Sequence, residues 1–194
     1  MQYPLVEALT AGLFVVSSLW ILDMPALDIR GIVTGILLYI LVSAYVVITT
    51  YDIKHKMIPD SFSYSVAVLA LVFVLISSPS SLMGHILAGF GAALFFFIFW
   101  FFSKGKWMGL GDAKLALSLG FLLGPSMAVP ALLIAFWSGA IVSIAVLVYE
   151  RVMRRDLGIS LKSEIPFAPF IICGLLFTFF LHIDMGTLAS WFAI

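Results

Sequence analysis

Residues 109–124 read GLGDAKLALSLGFLLG, and the fold turns on how this stretch is read. Asp112 and Lys114 open what is otherwise an apolar helical pattern. Gly109 and Gly111 precede the aspartate, and Gly120 and Gly124 follow four positions apart, on one helical face. Charged residues at the head of so apolar a run read as a helix entering a membrane at one of its faces. A second aspartate, Asp52 in YDIKHKMIPD (residues 51–60), stands just after another long apolar run. The expectation is that the chain folds to bring Asp52 and Asp112 together at one membrane face.

The composition supports a membrane setting. The 194 residues are 63% hydrophobic and 10% charged, where a soluble domain carries roughly 25% charged residues. The mean hydropathy is +1.21, and too few polar residues are present to cover a soluble surface. The apolar runs are continuous rather than alternating, which predicts helices and not a barrel. The fold class expected is therefore an all-α integral membrane protein, a polytopic bundle of about seven transmembrane helices. The net charge of zero suggests no nucleic-acid partner. Cys173 is a single cysteine, so it forms neither an internal disulfide nor a cysteine zinc site, and it reads as a small buried hydrophobe. His55, His85 and His182 share no metal-ligand spacing, and no metal or other cofactor is expected.

The spans are placed at about 4–22, 31–50, 61–77, 84–102, 112–124, 127–149 and 165–181. The first lacks a basic segment before it and reads as a retained span, not a signal peptide. Pro4 suits a first helical turn, and Glu7 suits the positive end of the helix dipole, with a place facing the site as its functional alternative. Asp60, ahead of Ser61, reads as the N-cap of the third span. The fifth span is short for a crossing, which needs about 20 residues. It is expected to begin inside the membrane boundary and to end at Pro125. The aromatic end of the fourth span suits an interface, and residues 182–194 read as a mildly amphipathic tail. With alternating spans, nine of the ten Lys and Arg residues fall on one side and only Arg30 opposite. The positive-inside rule makes that side cytoplasmic, with the N-terminus in and the C-terminus out. No repeat or linker divides residues 1–194, which read as a single membrane-embedded domain.

Two carboxylates at similar depth on one face suggest a chemistry. A buried pair can share one proton; the ionised member takes a proton from water while the protonated one donates to a scissile carbonyl oxygen. Gly109 and Gly111 are expected to allow close backbone approach and unusual dihedrals beside Asp112, and to expose backbone groups to an extended substrate. The simpler reading of each aspartate alone is a helix cap or a helix end. Lys54, Lys56 and Lys114 read as positive-inside anchors, and Lys114 as pointing away from Asp112.

At these residues the chain resembles the prepilin peptidases, membrane aspartic proteases of the GxGD type. The resemblance is carried by Asp52 with Ile58-Pro59-Asp60, by Gly109-Leu110-Gly111-Asp112-Ala113-Lys114 running through to Gly120 and Gly124, by Tyr3-Pro4-Leu5-Val6-Glu7, and by Ile165-Pro166-Phe167-Ala168-Pro169-Phe170. It implies Asp52 and Asp112 as the catalytic pair, with Gly109, Gly111, Lys114, Pro59 and Asp60 as supporting motif residues. It implies a reaction without metal at the cytoplasmic side of a prokaryotic inner membrane. The implied substrates are type IV prepilins or pseudopilins, with a short basic leader and a hydrophobic helix. Larger members add two Cys-x-x-Cys pairs linked to zinc and to methylation; this sequence lacks them, so the resemblance does not carry methyltransferase activity over. The family usually has glycine where Ala168 stands. Tyr51-Asp52 and Gly109 to Asp112 also fit presenilin-like intramembrane proteases, whose Pro-Ala-Leu is matched literally by Pro130-Ala131-Leu132, expected far from the aspartates. A non-enzymatic transporter or pilus-assembly scaffold remains the alternative from another class, and would spread its acids along a path across the membrane.

Overall fold

The structure is a computed structural model that describes residues 3–23, 28–105, 108–153 and 166–192. Lys106 and most of the third basic cluster, with Arg154, Arg155 and Lys162, lie outside the described residues, as does Ile165. The described residues form α1 (Tyr3–Leu22), α2 (Ile29–His55), α3 (Asp60–Ser77), a 3-10 turn (Pro79–Ser81), α4 (Leu82–Ser103), α5 (Leu110–Met153), α6 (Ala168–Leu181) and α7 (Met185–Phe192). Four stretches are long and apolar enough to cross a membrane, Ile29–His55, Asp60–Ser77, Pro79–Ser103 and Leu110–Val146, and Val6–Leu22 and Ala168–Leu181 are shorter apolar helices.

α5 is two passes, not one. Its apolar stretch would measure about 55 Å if straight, nearly twice the roughly 30 Å of a bilayer core. The helix breaks at Gly124, where φ is 71° and ψ −177°. Before the break, Gly120 rests on the backbone of Ala88 and Gly89. After it, Pro125 lies against Gly84, and Phe136 stacks on Phe96 with ring centroids 5.9 Å apart. The first half therefore runs antiparallel to α4 and the second half returns alongside it. Residues 110–123 form the expected short fifth span, and seven helical passes cross the bundle among the described residues.

The helices pack by close approach and shape, since lipid gives no hydrophobic drive between them. α2 buries Leu38, Leu41, Val42, Tyr45 and Ile48 along one stripe, and Asp52 continues that stripe at helical spacing. On α5 the buried stripe is Asp112, Leu115, Ala116 and Leu119. Asp52 closes its core-facing stripe and Asp112 opens its own, so core packing places both at the same end of the bundle. α6 packs against both α5 and α2 and buries Ile171, Leu175 and Leu176.

Two expectations are corrected here. Asp52 lies inside α2, in its final turns, and not after it. Cys173 is exposed on the outer face of α6. In a membrane the lipid-facing side of a helix is as apolar as its buried side, so an apolar neighbourhood did not locate this residue inside.

Candidate active site

α2 ends because Lys56 takes up a left-handed conformation (φ 53°, ψ 35°), with its N–H bonded to the Asp52 carbonyl at 2.7 Å. That termination places the Asp52 side chain at the mouth of the bundle while leaving it only 4% exposed. Its Oδ2 accepts from the backbone N–H of Ala168 at 3.2 Å. Ala168 is the first residue of α6, where backbone N–H groups have no partner within the helix and the dipole favours negative charge. Asp52 therefore acts as a cap for a helix 116 positions further along the chain.

Asp112 is held in a comparable way by its own helix. Gly109 precedes α5, and the Gly109 N–H donates to Asp112 Oδ2 at 3.2 Å while the Asp112 N–H donates to the Gly109 carbonyl at 3.2 Å. This is the half of a capping box in which the third residue reaches back. Asp112 is 8% exposed, and the Asp52 carboxylate lies within electrostatic reach of it. The two aspartates thus stand buried at the same end of the bundle, each with one oxygen fixed by a backbone donor at a helix start.

The supporting motif residues form the rim. Pro59 precedes α3 with extended backbone (φ −61°, ψ 133°), and its carbonyl accepts from Phe62 and Ser63. Asp60 is the first residue of α3 and not its N-cap, since α3 starts one residue earlier than expected and Asp60 makes no side-chain cap. Its carboxylate pairs instead with Lys114 Nζ at 2.6 Å, and that ammonium also lies 5.7 Å from the centre of the Tyr64 ring. Lys114 thus reaches from the first turns of α5 to a partner on α3.

Gly111 lies against Ile58: a Cβ there would stand 3.3 Å from the Ile58 Cβ. Close approach is therefore the reason for that glycine. Unusual dihedrals are not, because the positive-φ glycines among the described residues are Gly105 and Gly124, not Gly109 or Gly111. A Cβ at Gly109 would meet Asp112 Oδ2 at an ordinary 3.7 Å. Ala168 is fully buried, and its backbone N–H reaches the same place as a glycine's would. Glu7 is exposed on α1. Ala131 packs on Gly174, more than a turn along α6 from Ala168, so Pro130-Ala131-Leu132 lies away from the pair.

The long-range holders were invisible in the sequence. Ala168 carried only Pro169 as a signal, since proline favours a first helical turn, where a neighbour's N–H has no partner within the helix.

The model of the type IV leader peptidase family matches residues 39–144, which include both aspartates and their motifs. A prepilin leader peptidase/N-methyltransferase of Pectobacterium carotovorum is 29% identical over 177 residues, covering 89% of this chain and 58% of that protein. A prepilin leader peptidase/N-methyltransferase of Xanthomonas campestris is 28% identical over 177 residues, covering 88% of this chain and 55% of its own length. The chain thus spans little more than half the length of these curated relatives. No solved structure matches. A match across more than half of the chain, one that includes the two buried carboxylates, shows that this protein belongs to the type IV leader peptidase family.

Proposed function

We propose that the protein is a membrane aspartic endopeptidase that removes the short basic leader from type IV prepilins or pseudopilins. The observation that carries this reading is a pair of buried aspartates at one end of the bundle, Asp52 and Asp112, with one oxygen of each held by a backbone N–H. Two like charges in one dry site are costly, so the pair carries a single shared proton. The ionised carboxylate takes a proton from a water molecule as that oxygen attacks the scissile carbonyl carbon. The protonated carboxyl donates to the carbonyl oxygen, and the tetrahedral intermediate collapses with proton delivery to the leaving amine. The fixed orientations contributed by Gly109 and Ala168 keep the pair in register for both transfers.

Lys54, Lys56, Lys104 and Lys114 lie at the same end of the bundle as the aspartates, and Arg30 lies at the start of α2, at the other end. This charge asymmetry supports a cytoplasmic site in a prokaryotic inner membrane, with the N-terminus inside. Residues 1–194 act as one membrane-embedded peptidase domain. The test is to mix the purified protein with a prepilin carrying its leader and to follow leader release by mass spectrometry. Release of the intact leader by cleavage ahead of the hydrophobic segment supports the reading. A folded protein that cleaves no prepilin contradicts it.

A further inference from the structure

We infer that His85 is a positioning residue for this site, fixing the far end of the short helix that carries Asp112. The inference rests on the peptidase reading for its effect on catalysis, but the contact itself does not. Pro125 has no N–H, so the carbonyl of Phe121, four residues earlier, loses the donor a continuous helix would supply. Inside a membrane protein an orphaned carbonyl is costly, because no bulk water covers it. His85 on α4 fills the vacancy: its Nδ1 lies 2.8 Å from the Phe121 oxygen. A carbonyl oxygen can only accept, so Nδ1 carries the proton in this contact.

The same ring also abuts the point of reversal. Gly124 has φ 71° and ψ −177°, a conformation essentially restricted to glycine. A Cβ at Gly124 would stand 2.8 Å from His85 Nε2. Gly84 meets Pro125 on one side of His85, and Ala88 and Gly89 meet Gly120 on the other. One face of α4 therefore cradles the break, with the imidazole as its polar contact.

The consequence reaches the aspartates through helix rigidity. About 13 Å of helix separates Phe121 from Asp112, at about 1.5 Å per residue. A helix this short has few turns to fix its orientation, so the partners of its end groups matter. Its first turn is held by the Gly109–Asp112 exchange and its last by His85. Removing the His85 donor leaves the Phe121 carbonyl unpartnered, and a shift of that turn toward another donor moves Asp112 relative to Asp52.

The experiment compares His85→Leu, which fills similar volume without a donor, with His85→Asn, whose amide N–H stands near the place of Nδ1. His85→Leu is expected to lower kcat for prepilin cleavage about tenfold with KM held within about twofold, and His85→Asn to recover most of that loss. Wild-type kcat in His85→Leu, or an equal fall in both variants, overturns the positioning role. A second measurement needs no activity. Nitrogen-15 NMR of the three histidines, with His85 assigned by its loss in His85→Asn, is expected to show the Nδ1–H tautomer at a pH where the ring is neutral. The Nε2–H tautomer overturns the contact. Failure of the wild type to cleave prepilin would sink the peptidase reading instead, and the tautomer would still decide the contact.

Discussion

The Lys114 ammonium stands 2.6 Å from the Asp60 carboxylate, tying the start of α5 to the start of α3. Asp60 is a third acid at the rim of the site, and its chemistry differs from that of the buried pair. Its side chain is 65% exposed, so it is well solvated and pairs as a surface ion pair does. Such pairs contribute about 0–1 kcal/mol. Asp60→Asn is therefore expected to keep the melting temperature within a few degrees and cleavage within about tenfold of wild type. A loss of cleavage as complete as that of an Asp52 variant would place Asp60 among the catalytic groups.

The two glycines of the motif should respond differently to a methyl group. Gly111→Ala forces a contact with Ile58 and pushes the 58–60 segment outward, so cleavage is expected to fall roughly tenfold even though alanine favours the helix. Gly109→Ala has room and ordinary dihedrals, and its N–H still reaches Asp112, so the fold should be unchanged. Melting temperature and cleavage rate measured on both variants test the contrast. Equal effects would show that the glycines act through conformational freedom rather than through space.

A second glycine contrast tests the packing. A methyl at Gly120 meets the backbone of Ala88 and Gly89, which cannot move aside without shifting α4. Gly120→Ala is expected to destabilise by about 1–3 kcal/mol or more. Gly12 on α1 has nothing within 4 Å of an added Cβ, and Gly12→Ala is expected to be neutral or to gain up to about 1 kcal/mol. Thermal unfolding in detergent checks both.

Asp184, between α6 and α7, caps α7 by accepting from the Thr187 N–H at 2.7 Å. The Thr187 backbone and side-chain hydrogen bonds hold its carboxyl below the ordinary carboxylate value. A depressed folded-state value means that the stabilisation is present above the unfolded value and is lost as pH falls through the folded one. Asp184→Ala should therefore lower stability at neutral pH, and the gap to wild type should close only on strong acidification. Melting temperatures at pH 7 and near pH 3 test the sign; a gap that widens in acid contradicts it.

What could be read from the sequence follows the physics of each feature. The short fifth span was legible because Gly124 and Pro125 are local punctuation and act where they stand. The placement of Asp52 and Asp112 at one end of the bundle was legible because alternating spans and basic clusters put both on one side. Asp60 as a partner of Lys114, Ala168 as the donor to Asp52 and His85 as the donor to Phe121 were not legible. Their partners lie 54, 116 and 36 positions away, and only helix packing selects them. Which side of each helix faces inward was also hidden. In a soluble helix polar residues mark the outside, whereas here Leu87, Phe90 and Phe101 are exposed on α4 and Phe96 is buried among them. Cys173 was misplaced for that reason.

The central claim is that Asp52 and Asp112 work as one unit. Cleavage rates of Asp52→Asn, Asp112→Asn and the double variant, each confirmed folded by circular dichroism and thermal unfolding, test it most directly. The account predicts that either single substitution lowers the rate about a thousandfold or more and that the double falls no further, since half of a shared-proton pair does no work alone. Retained cleavage in either single variant, or losses that multiply in the double, would show two residues acting separately and would contradict the account.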